Sequence, residues 1–238
     1  MNSPKTLPSL EWPRGPRSPA ITSGCVHLWL ADARVHDVAM LLQILEPSES
    51  NRAARFYHQR DRSRYIVRRA LLRLLLARYL RCSVTDIRFV TAPLGKPGLT
   101  ADLPIRFNVS ASANLCLYAI TTDRDVGVDL EFMEPAVDIA SVSALFAPAE
   151  IELLRWLAPS SQLDVFYAQW TCKEASMKCT GQGLSTPLIQ IPITFDPTGP
   201  RCTSDSCSIL RLNAATGYAA AVATIGSFPQ LTCWSLDP

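Results

Sequence analysis

Two stretches of this chain repeat the same order of predicted elements, and this repeat constrains the fold more than any other feature of the sequence. VHLWLADA and VGVDLEFME both show the alternation typical of strands, and they lie about 100 residues apart. PSESNRAARF and APAEIELLRW, which read as helices, have about the same separation, as do two long helices. The spacing predicts two similar α/β halves, residues 23–124 and 125–238, with a ligand in the cleft between them.

The periodicity of the apolar residues predicts the individual elements of an α+β fold. In the first half we expect strands at 25–33, 87–92, 105–112 and 115–122 and helices at 37–45, 48–57 and 61–80. In the second half we expect strands at 126–133, 189–195, 208–213, 217–225 and 230–235 and helices at 138–145, 147–157 and 162–180.

Composition and charge argue against several classes of protein. The formal net charge is +2, so the chain as a whole gives no electrostatic reason to bind nucleic acid. No apolar run approaches the roughly 20 residues of a membrane-spanning helix, so we expect no membrane partner. Residues 1–22 contain five prolines and no hydrophobic segment, which predicts a flexible, extended tail rather than a signal peptide.

The cysteine pattern indicates a reducing compartment. The eight cysteines include no CxxC pair, and most fall within predicted strands or helices. We therefore expect free thiols in the cytoplasm, with a disulfide framework or a zinc site as the alternative. With only three histidines in the chain, a histidine-based metal site is disfavoured.

The segment FYAQWTCKEASMKCTGQGL, residues 166–184, reads as a helix with charges on an unusual face. At 100° per residue, its aromatic residues share a face with Glu174 and Lys178, and Lys173 lies at the edge of that face. A surface helix normally keeps its charges away from its aromatic residues. The pattern is explained if this face closes over a cleft; otherwise Glu174 and Lys178 are simply an i,i+4 ion pair.

Two acids on one predicted strand are candidate metal ligands. Asp129 and Glu131 alternate with apolar residues in GVDLE, so both side chains point to one face, about 7 Å apart at the backbone. They can be a solvated strand edge. In a cleft, however, two carboxylates repel each other unless a cation intervenes, and oxygen ligands suit Mg²⁺. Glu174 is then a candidate third ligand, and Lys178 a candidate phosphate ligand.

Two shorter motifs are compatible with phosphate binding. LGKPG, residues 94–98, predicts a tight turn in which Gly95 offers a backbone N–H and Lys96 an ammonium. FNVSAS places Ser110 near the end of a strand, where its hydroxyl could contact phosphate or cap the chain.

Taken together and in order, GKP, FNVS-S, GVDLE and FY--WT-KEA--K--G-GL resemble the motifs of the 4′-phosphopantetheinyl transferases, specifically the broad-specificity, Sfp-like type. The resemblance covers about residues 25 to 225. It implies a monomer of two α/β halves with pseudo-twofold symmetry, with the active site between them. It also implies transfer of the phosphopantetheine arm of coenzyme A to a serine of an apo acyl or peptidyl carrier protein. The product released is adenosine 3′,5′-bisphosphate, and the carriers expected are those of polyketide or nonribosomal peptide synthases.

The resemblance also implies roles for individual residues. Asp129, Glu131 and Glu174 would hold Mg²⁺, and Glu174, directly or through a metal-bound water, would help deprotonate the serine. Lys178 would neutralise the departing phosphate, with Lys173 binding phosphate beside it. The positions expected to bind coenzyme A, most of them at its nucleotide end, are Arg52, Arg64, Gly95, Lys96, Pro97, Ser110 and Ala111.

Ala111 departs from the family pattern, which normally has histidine in FNVSHS. That histidine is thought to contact the 3′-phosphate, and its loss removes a charge-assisted hydrogen bond of roughly 1.5–3 kcal/mol. Arg52, Arg62 or Arg64 could compensate, since a guanidinium binds phosphate well.

Ten arginines between residues 52 and 81 leave other interpretations open. They can form a solvated helix face, contact the phosphates of coenzyme A, or steer an acidic carrier protein by charge. An alternative function is a Mg²⁺-dependent nuclease or phosphohydrolase with the same three acids. A nucleic-acid-binding module built on the arginine-rich helix is a third candidate, disfavoured by the near-neutral charge.

Overall fold

A computed structural model of the chain describes residues 11–92, 94–100, 103–181, 187–196, 199–202 and 207–237. The first half contains β1 (Cys25–Asp32), α1 (Val38–Leu42), α2 (Pro47–Ala54), α3 (Gln59–Leu80), β2 (Phe89–Thr91), β3 (Pro97–Leu99), β4 (Arg106–Ser112) and β5 (Leu115–Thr121). The second half contains β6 (Val126–Phe132), α4 (Ile139–Ser143), α5 (Pro148–Trp156), α6 (Pro159–Thr180), β7 (Ile193–Asp196), β8 (Gly199–Cys202), β9 (Cys207–Leu212), β10 (Tyr218–Ile225) and β11 (Gln230–Ser235).

The order of elements repeats as predicted. Each half runs from a strand through two short helices and a 22-residue helix to a small hairpin and two antiparallel strands. The predicted α+β class is therefore confirmed. Several boundaries differ by a few residues: α1 ends at Leu42 rather than at 45, α2 ends at Ala54 rather than at 57, α6 begins at Pro159 rather than at 162, and the strand expected at 189–195 begins at Ile193, after a 3₁₀ turn. The second strands of the two hairpins, β3 and β8, are not among the predicted strands.

The last strand of the chain crosses from the second half to the first. One sheet has the order β11-β1-β5-β4, in which β11 runs parallel to β1, and the other has the order β6-β10-β9. The predicted second half, residues 125–238, includes β11, which instead completes the sheet of the first half. Periodicity predicts that a strand exists, whereas its partner depends on the fold as a whole.

The N-terminal segment, predicted as a flexible tail over residues 1–22, contacts the last strand of the chain at residues 13–15. Ser235 N donates to Pro13 O at 2.8 Å, and Gly15 N donates to Ser235 O at 3.1 Å, so the tail lies along β11. A Cβ on Gly15 would lie 2.0 Å from a ring carbon of Trp29, so only glycine allows this approach. Residues 1–10 lie outside the described part.

The core consists of layers in which the two sheets face each other and each is covered by a long helix. Val26, Leu28 and Leu117 of the first sheet pack against Val128 and Leu130 of the second. The outer face of the first sheet packs on α3, and α6 packs on the outer face of the second. Among the residues described, no helix is both long and apolar enough to cross a membrane.

Gly127 brings α6 onto β6. A Cβ at this position would lie 2.0 Å from Ala175 O and 2.3 Å from Cys179 N, so the helix backbone rests directly on the strand. The small residues of α6 make this approach possible, because a larger side chain there would hold the helix away. The acids that follow Gly127 on β6 are therefore close to the end of α6.

Candidate active site

The strand β6 presents its two acids to α6, as the alternation predicted. Val128 and Leu130 enter the core between the sheets, so Asp129 and Glu131 lie on the opposite face. From Thr171 to Thr180, α6 is buried except at Glu174, Lys178 and Thr180, which are partly exposed. The helix therefore leaves a small polar opening beside the acids, and this opening contains both predicted catalytic residues.

Lys178, Asp129 and Ser110 form one hydrogen-bonded group that joins three elements. Lys178 Nζ donates to Asp129 Oδ1 at 2.6 Å and to Ser110 Oγ at 3.2 Å. Ser110 Oγ donates to Asp129 Oδ1 at 2.9 Å. The sequence predicted that Ser110 contacts phosphate, but in this structure its hydroxyl is engaged with the carboxylate and the ammonium.

Ser112, two residues after Ser110 on β4, contacts Glu131, two residues after Asp129 on β6. This contact was not predicted from the sequence. Ser112 Oγ donates to Glu131 Oε2 at 2.7 Å and accepts from Phe132 N at 3.0 Å. The two serines of β4 therefore each donate a hydrogen bond to one acid of β6, Ser110 to Asp129 and Ser112 to Glu131. The motif FNVSAS contained a signal for this, since serines at alternate positions of a strand share a face.

Two of the three predicted metal ligands, Glu131 and Glu174, have a raised pKa. Burial and the neighbouring Asp129 carboxylate raise the pKa of Glu131, and the same two causes raise the pKa of Glu174. Asp129 Oδ2 is buried without a hydrogen-bond partner. A divalent cation would relieve this repulsion and satisfy that oxygen, so the donor set fits Mg²⁺ in charge and chemistry. As placed, however, the described Asp, Glu, His and Cys side chains include no group of three that converges on a metal position.

Lys173 does not belong to this opening, and the prediction that it binds phosphate is wrong in this structure. Its side chain is fully buried. Its Nζ lies 2.8 Å from Glu150 Oε2 and donates to Ile191 O at 2.6 Å and to Leu188 O at 3.2 Å. One step along a helix turns a side chain by about 100°, which takes Lys173 into the core while Glu174 faces the opening.

Lys96 ties the turn of the β2–β3 hairpin to the end of α6. Its Nζ donates to Cys179 O at 3.0 Å and lies 3.6 Å from Asp125 Oδ1. Gly95, next to it, has a φ of +89°, and a Cβ there would meet no atom within 4 Å. The turn therefore needs glycine for its backbone conformation, and it brings Lys96 close to the second half.

A cavity of about 480 Å³ collects three of the residues predicted to bind coenzyme A. Arg52, Gly95 and Pro97 line it, between α2, α3 and the β2–β3 hairpin. Arg68 and Arg69, two of the ten arginines between residues 52 and 81, line it as well. Tyr65 and Phe89 also line the cavity. The guanidinium group of Arg52 lies 5.5 Å from the ring centre of Tyr65, and that of Arg69 lies 3.6 Å from the ring centre of Phe89.

A second cavity, of about 210 Å³, contains Arg64 and Ala111. Arg68 and Tyr65 line both cavities, so the two are neighbours. Arg64 Nη2 donates to Asn114 Oδ1 at 2.9 Å. The position where the family normally has histidine therefore faces a space bordered by two guanidinium groups, which is a suitable environment for an anion.

Comparisons with known proteins agree with this geometry. A sequence profile described as the 4′-phosphopantetheinyl transferase superfamily matches residues 125–223, and one described as the N-terminal region of a 4′-phosphopantetheinyl transferase matches residues 29–123. The 4′-phosphopantetheinyl transferase HetI of a Nostoc species is 36% identical over 229 residues, covering 92% of this chain and 96% of that protein. The 4′-phosphopantetheinyl transferase Sfp of Bacillus subtilis is 29% identical, covering 79% and 86%.

The similarity to solved structures is weak. The holo-[acyl-carrier-protein] synthase of Thermotoga maritima aligns with a TM-score of 0.36 at 15% identity, covering 43% of this chain and 63% of that one, which is too slight a likeness to argue from. The sequence matches span both halves, and they favour the transferase over the nuclease. The chain belongs to the 4′-phosphopantetheinyl transferase superfamily and is an enzyme that transfers phosphopantetheine from coenzyme A to a carrier protein.

Proposed function

We propose that this transferase modifies the carrier domains of polyketide or nonribosomal peptide synthases, with Mg²⁺ held by Asp129, Glu131 and Glu174. The observation that carries the proposal is that Lys178 contacts Asp129, and that the Asp129 carboxylate acts electrostatically on Glu131 and Glu174 beside the polar opening between β6 and α6. Bound there, Mg²⁺ would neutralise pyrophosphate oxygens. The resemblance to Sfp supports the broad choice of carrier, since the motifs of this chain are those of that type.

In the proposed reaction the serine oxygen of the carrier forms a bond to the phosphorus on the pantetheine side of the coenzyme A pyrophosphate. The bond from that phosphorus to the bridging oxygen breaks, and its electron pair leaves with adenosine 3′,5′-bisphosphate. Glu174 accepts the serine proton; burial and the Asp129 carboxylate raise its pKa, which makes it a stronger base. Lys178 offsets the charge on the departing phosphate, and Asp129 holds its ammonium in place.

We further propose that the first half, residues 23–124, binds the nucleotide end of coenzyme A. The two cavities described above, of about 480 and 210 Å³, lie within that half, whereas the acids and Lys178 come from residues 125–238. Lys96 stands between them, at the end of α6. The enzyme would act as a cytoplasmic monomer; among the described cysteines, Cys25, Cys82, Cys116, Cys172, Cys179 and Cys233 are free thiols, as a reducing compartment would favour.

The test is transfer of a fluorescent coenzyme A to an apo carrier protein in the presence of Mg²⁺, followed by the mass of the intact carrier. The wild type should label the carrier and release adenosine 3′,5′-bisphosphate. Glu174→Gln should abolish labelling, while Glu152→Gln, an exposed glutamate on α5, should label like the wild type. Failure to label carriers of either synthase class, or equal rates with and without Mg²⁺, would overturn the proposal.

A further inference from the structure

Each half contains a buried ion pair built in the same way. In the first half, Arg73 Nε lies 2.6 Å from Glu49 Oε2, and Arg73 Nη1 donates to the carbonyl oxygens of Ile87 and Val84 at 3.0 and 3.3 Å. We call this group the first cluster. In the second half, Lys173 Nζ contacts Glu150 Oε2 and the carbonyl oxygens of Ile191 and Leu188. We call this group the second cluster.

The two clusters occupy equivalent places in the repeat. Both cations come from the middle of a 22-residue helix, and both acids lie in the first turn of the short helix that precedes it. Each acid also accepts a backbone N–H from its helix cap: Glu49 from Glu46 N at 3.0 Å, and Glu150 from Ala147 N at 2.7 Å. The carbonyls in both clusters flank a 3₁₀ turn that follows the long helix.

The buried cation links three segments that are distant in sequence. Arg73 and Lys173 are both fully enclosed, so each is held by its partners rather than by water. Glu150 Oε1 also accepts from Ile193 N at 2.7 Å, which extends the second cluster into β7. A buried charge with all of its hydrogen bonds formed has few alternative positions, so the second cluster fixes how α6 is rotated about its own axis.

That rotation decides where the active-site face of α6 points. Glu174 follows Lys173 directly, and Lys178 lies one turn further on. On the other side of the helix, Gly127 allows α6 to rest on β6. With one side of the helix held by Lys173 and another by the strand, Glu174 and Lys178 face Asp129.

We propose that Lys173 is a positioning residue for phosphopantetheine transfer: it acts through Glu174 and Lys178, and it does not touch coenzyme A. This inference rests on the proposed roles of those two residues. It predicts that arginine, which the first half uses at the equivalent place, can replace Lys173, because arginine supplies the same charge to the same acid and carbonyls.

The experiment compares Lys173→Arg with the double variant Lys173→Met, Glu150→Gln, which removes the ion pair without leaving a buried charge. We measure kcat for transfer, the Kd of coenzyme A by calorimetry, and amide hydrogen exchange. The double variant should lose about 100-fold in kcat, as expected when a reacting group is displaced by an ångström. Its Kd for coenzyme A should stay within about twofold of the wild type, because no phosphate contact is lost. Lys173→Arg should keep most of kcat and the same Kd.

Amide hydrogen exchange tests the positioning role of Lys173 independently of the proposed function. The amide of Ile193 and those of α6 near Glu174 should exchange faster in the double variant and return to wild-type protection in Lys173→Arg, whether or not the enzyme labels a carrier. A wild type that labels no carrier contradicts the proposed function alone, and the exchange result then decides on the cluster. A folded Lys173→Arg that loses protection or transfer, or a double variant with weakened coenzyme A binding, would overturn the positioning role.

Discussion

Lys178 Nζ lies 2.6 Å from Asp129 Oδ1, although the two residues are 49 positions apart and belong to a helix and a strand. The same ammonium reaches Ser110 on β4, which belongs to the other half of the chain. Three elements thus meet at one side chain, and the contact aligns the end of α6 with the acids of β6. It orients the ammonium that would face the departing phosphate.

Replacing Lys178 by alanine should reduce kcat by about 100-fold or more, since a positive charge aimed at the developing phosphate charge is lost. Lys178→Arg should retain a larger part of the activity because it keeps the charge. Steady-state transfer to an apo carrier measures both. A Lys178→Ala enzyme with the kcat of the wild type would show that this ammonium only supports Asp129.

Ala111→His should tighten coenzyme A binding with little change in turnover. Ala111 lines a cavity of about 210 Å³ with Arg64 and Arg68, so a new imidazole has room beside two guanidinium groups. A charge-assisted hydrogen bond to phosphate contributes roughly 1.5–3 kcal/mol. Titration calorimetry measures the gain, with 3′-dephospho-coenzyme A as the matched control. Equal affinities of the two proteins for coenzyme A would mean that the arginines already replace the histidine.

Ser112→Ala should raise the Mg²⁺ concentration needed for half-maximal transfer, because Glu131 loses the hydroxyl that holds it. The unfolding free energy should fall by about 1 kcal/mol, the usual value of one such hydrogen bond. Direct titration with Mn²⁺ gives a readout that does not depend on catalysis. Ser161→Ala, at an exposed position of α6, provides the control. An unchanged affinity for the metal would separate Ser112 from the metal site.

Gly127→Ala should destabilise the protein by about 2 kcal/mol or more, since a Cβ there would overlap the backbone of α6 at Ala175 O. Gly98→Ala is a matched control on another strand. Its Cβ would meet only Val90 Cγ2, at 3.6 Å, which is an ordinary contact. Chemical denaturation of the two variants gives the comparison. If both cost the same, close packing of α6 on β6 is not what requires glycine at position 127.

His27 should make the protein less stable as the pH falls from about 6.5 to about 4. Burial lowers its pKa to about 4 in the folded state, where its Nδ1 lies 2.7 Å from Tyr79 Oη. Between these pH values the unfolded chain binds the proton and the folded chain does not, so acid favours unfolding by up to about 3 kcal/mol, at about 1.4 kcal/mol for each unit of pKa difference. In His27→Gln this part of the pH dependence should disappear, while His58→Gln, at an exposed position, should keep it.

The sequence predicted the elements and the faces they present well, because both depend on local periodicity. The alternation in GVDLE was enough to place Asp129 and Glu131 together, and the order of helices and strands revealed the repeat. Ser112 was within reach of the same reasoning, since it alternates with Ser110 on β4.

The sequence did not predict contacts that depend on more than one element. A helical projection puts Lys173 at the edge of the charged face, but only the presence of Glu150 and of two distant carbonyls decides that it turns inward. The proline-rich start of the chain suggested a free tail. The pairing of this segment with Ser235 needs an exposed edge of β11, which no local pattern reveals.

Because β11 follows the second half in the sequence but pairs with β1 of the first half, each half depends on the other. A protein divided after Asp125 would leave β1 without its parallel neighbour, and the separated fragment would carry an unpaired strand as a site for aggregation. The pairing of β11 with β1 also provides the backbone against which residues 13–15 lie, so the segment before β1 depends on the last strand as well.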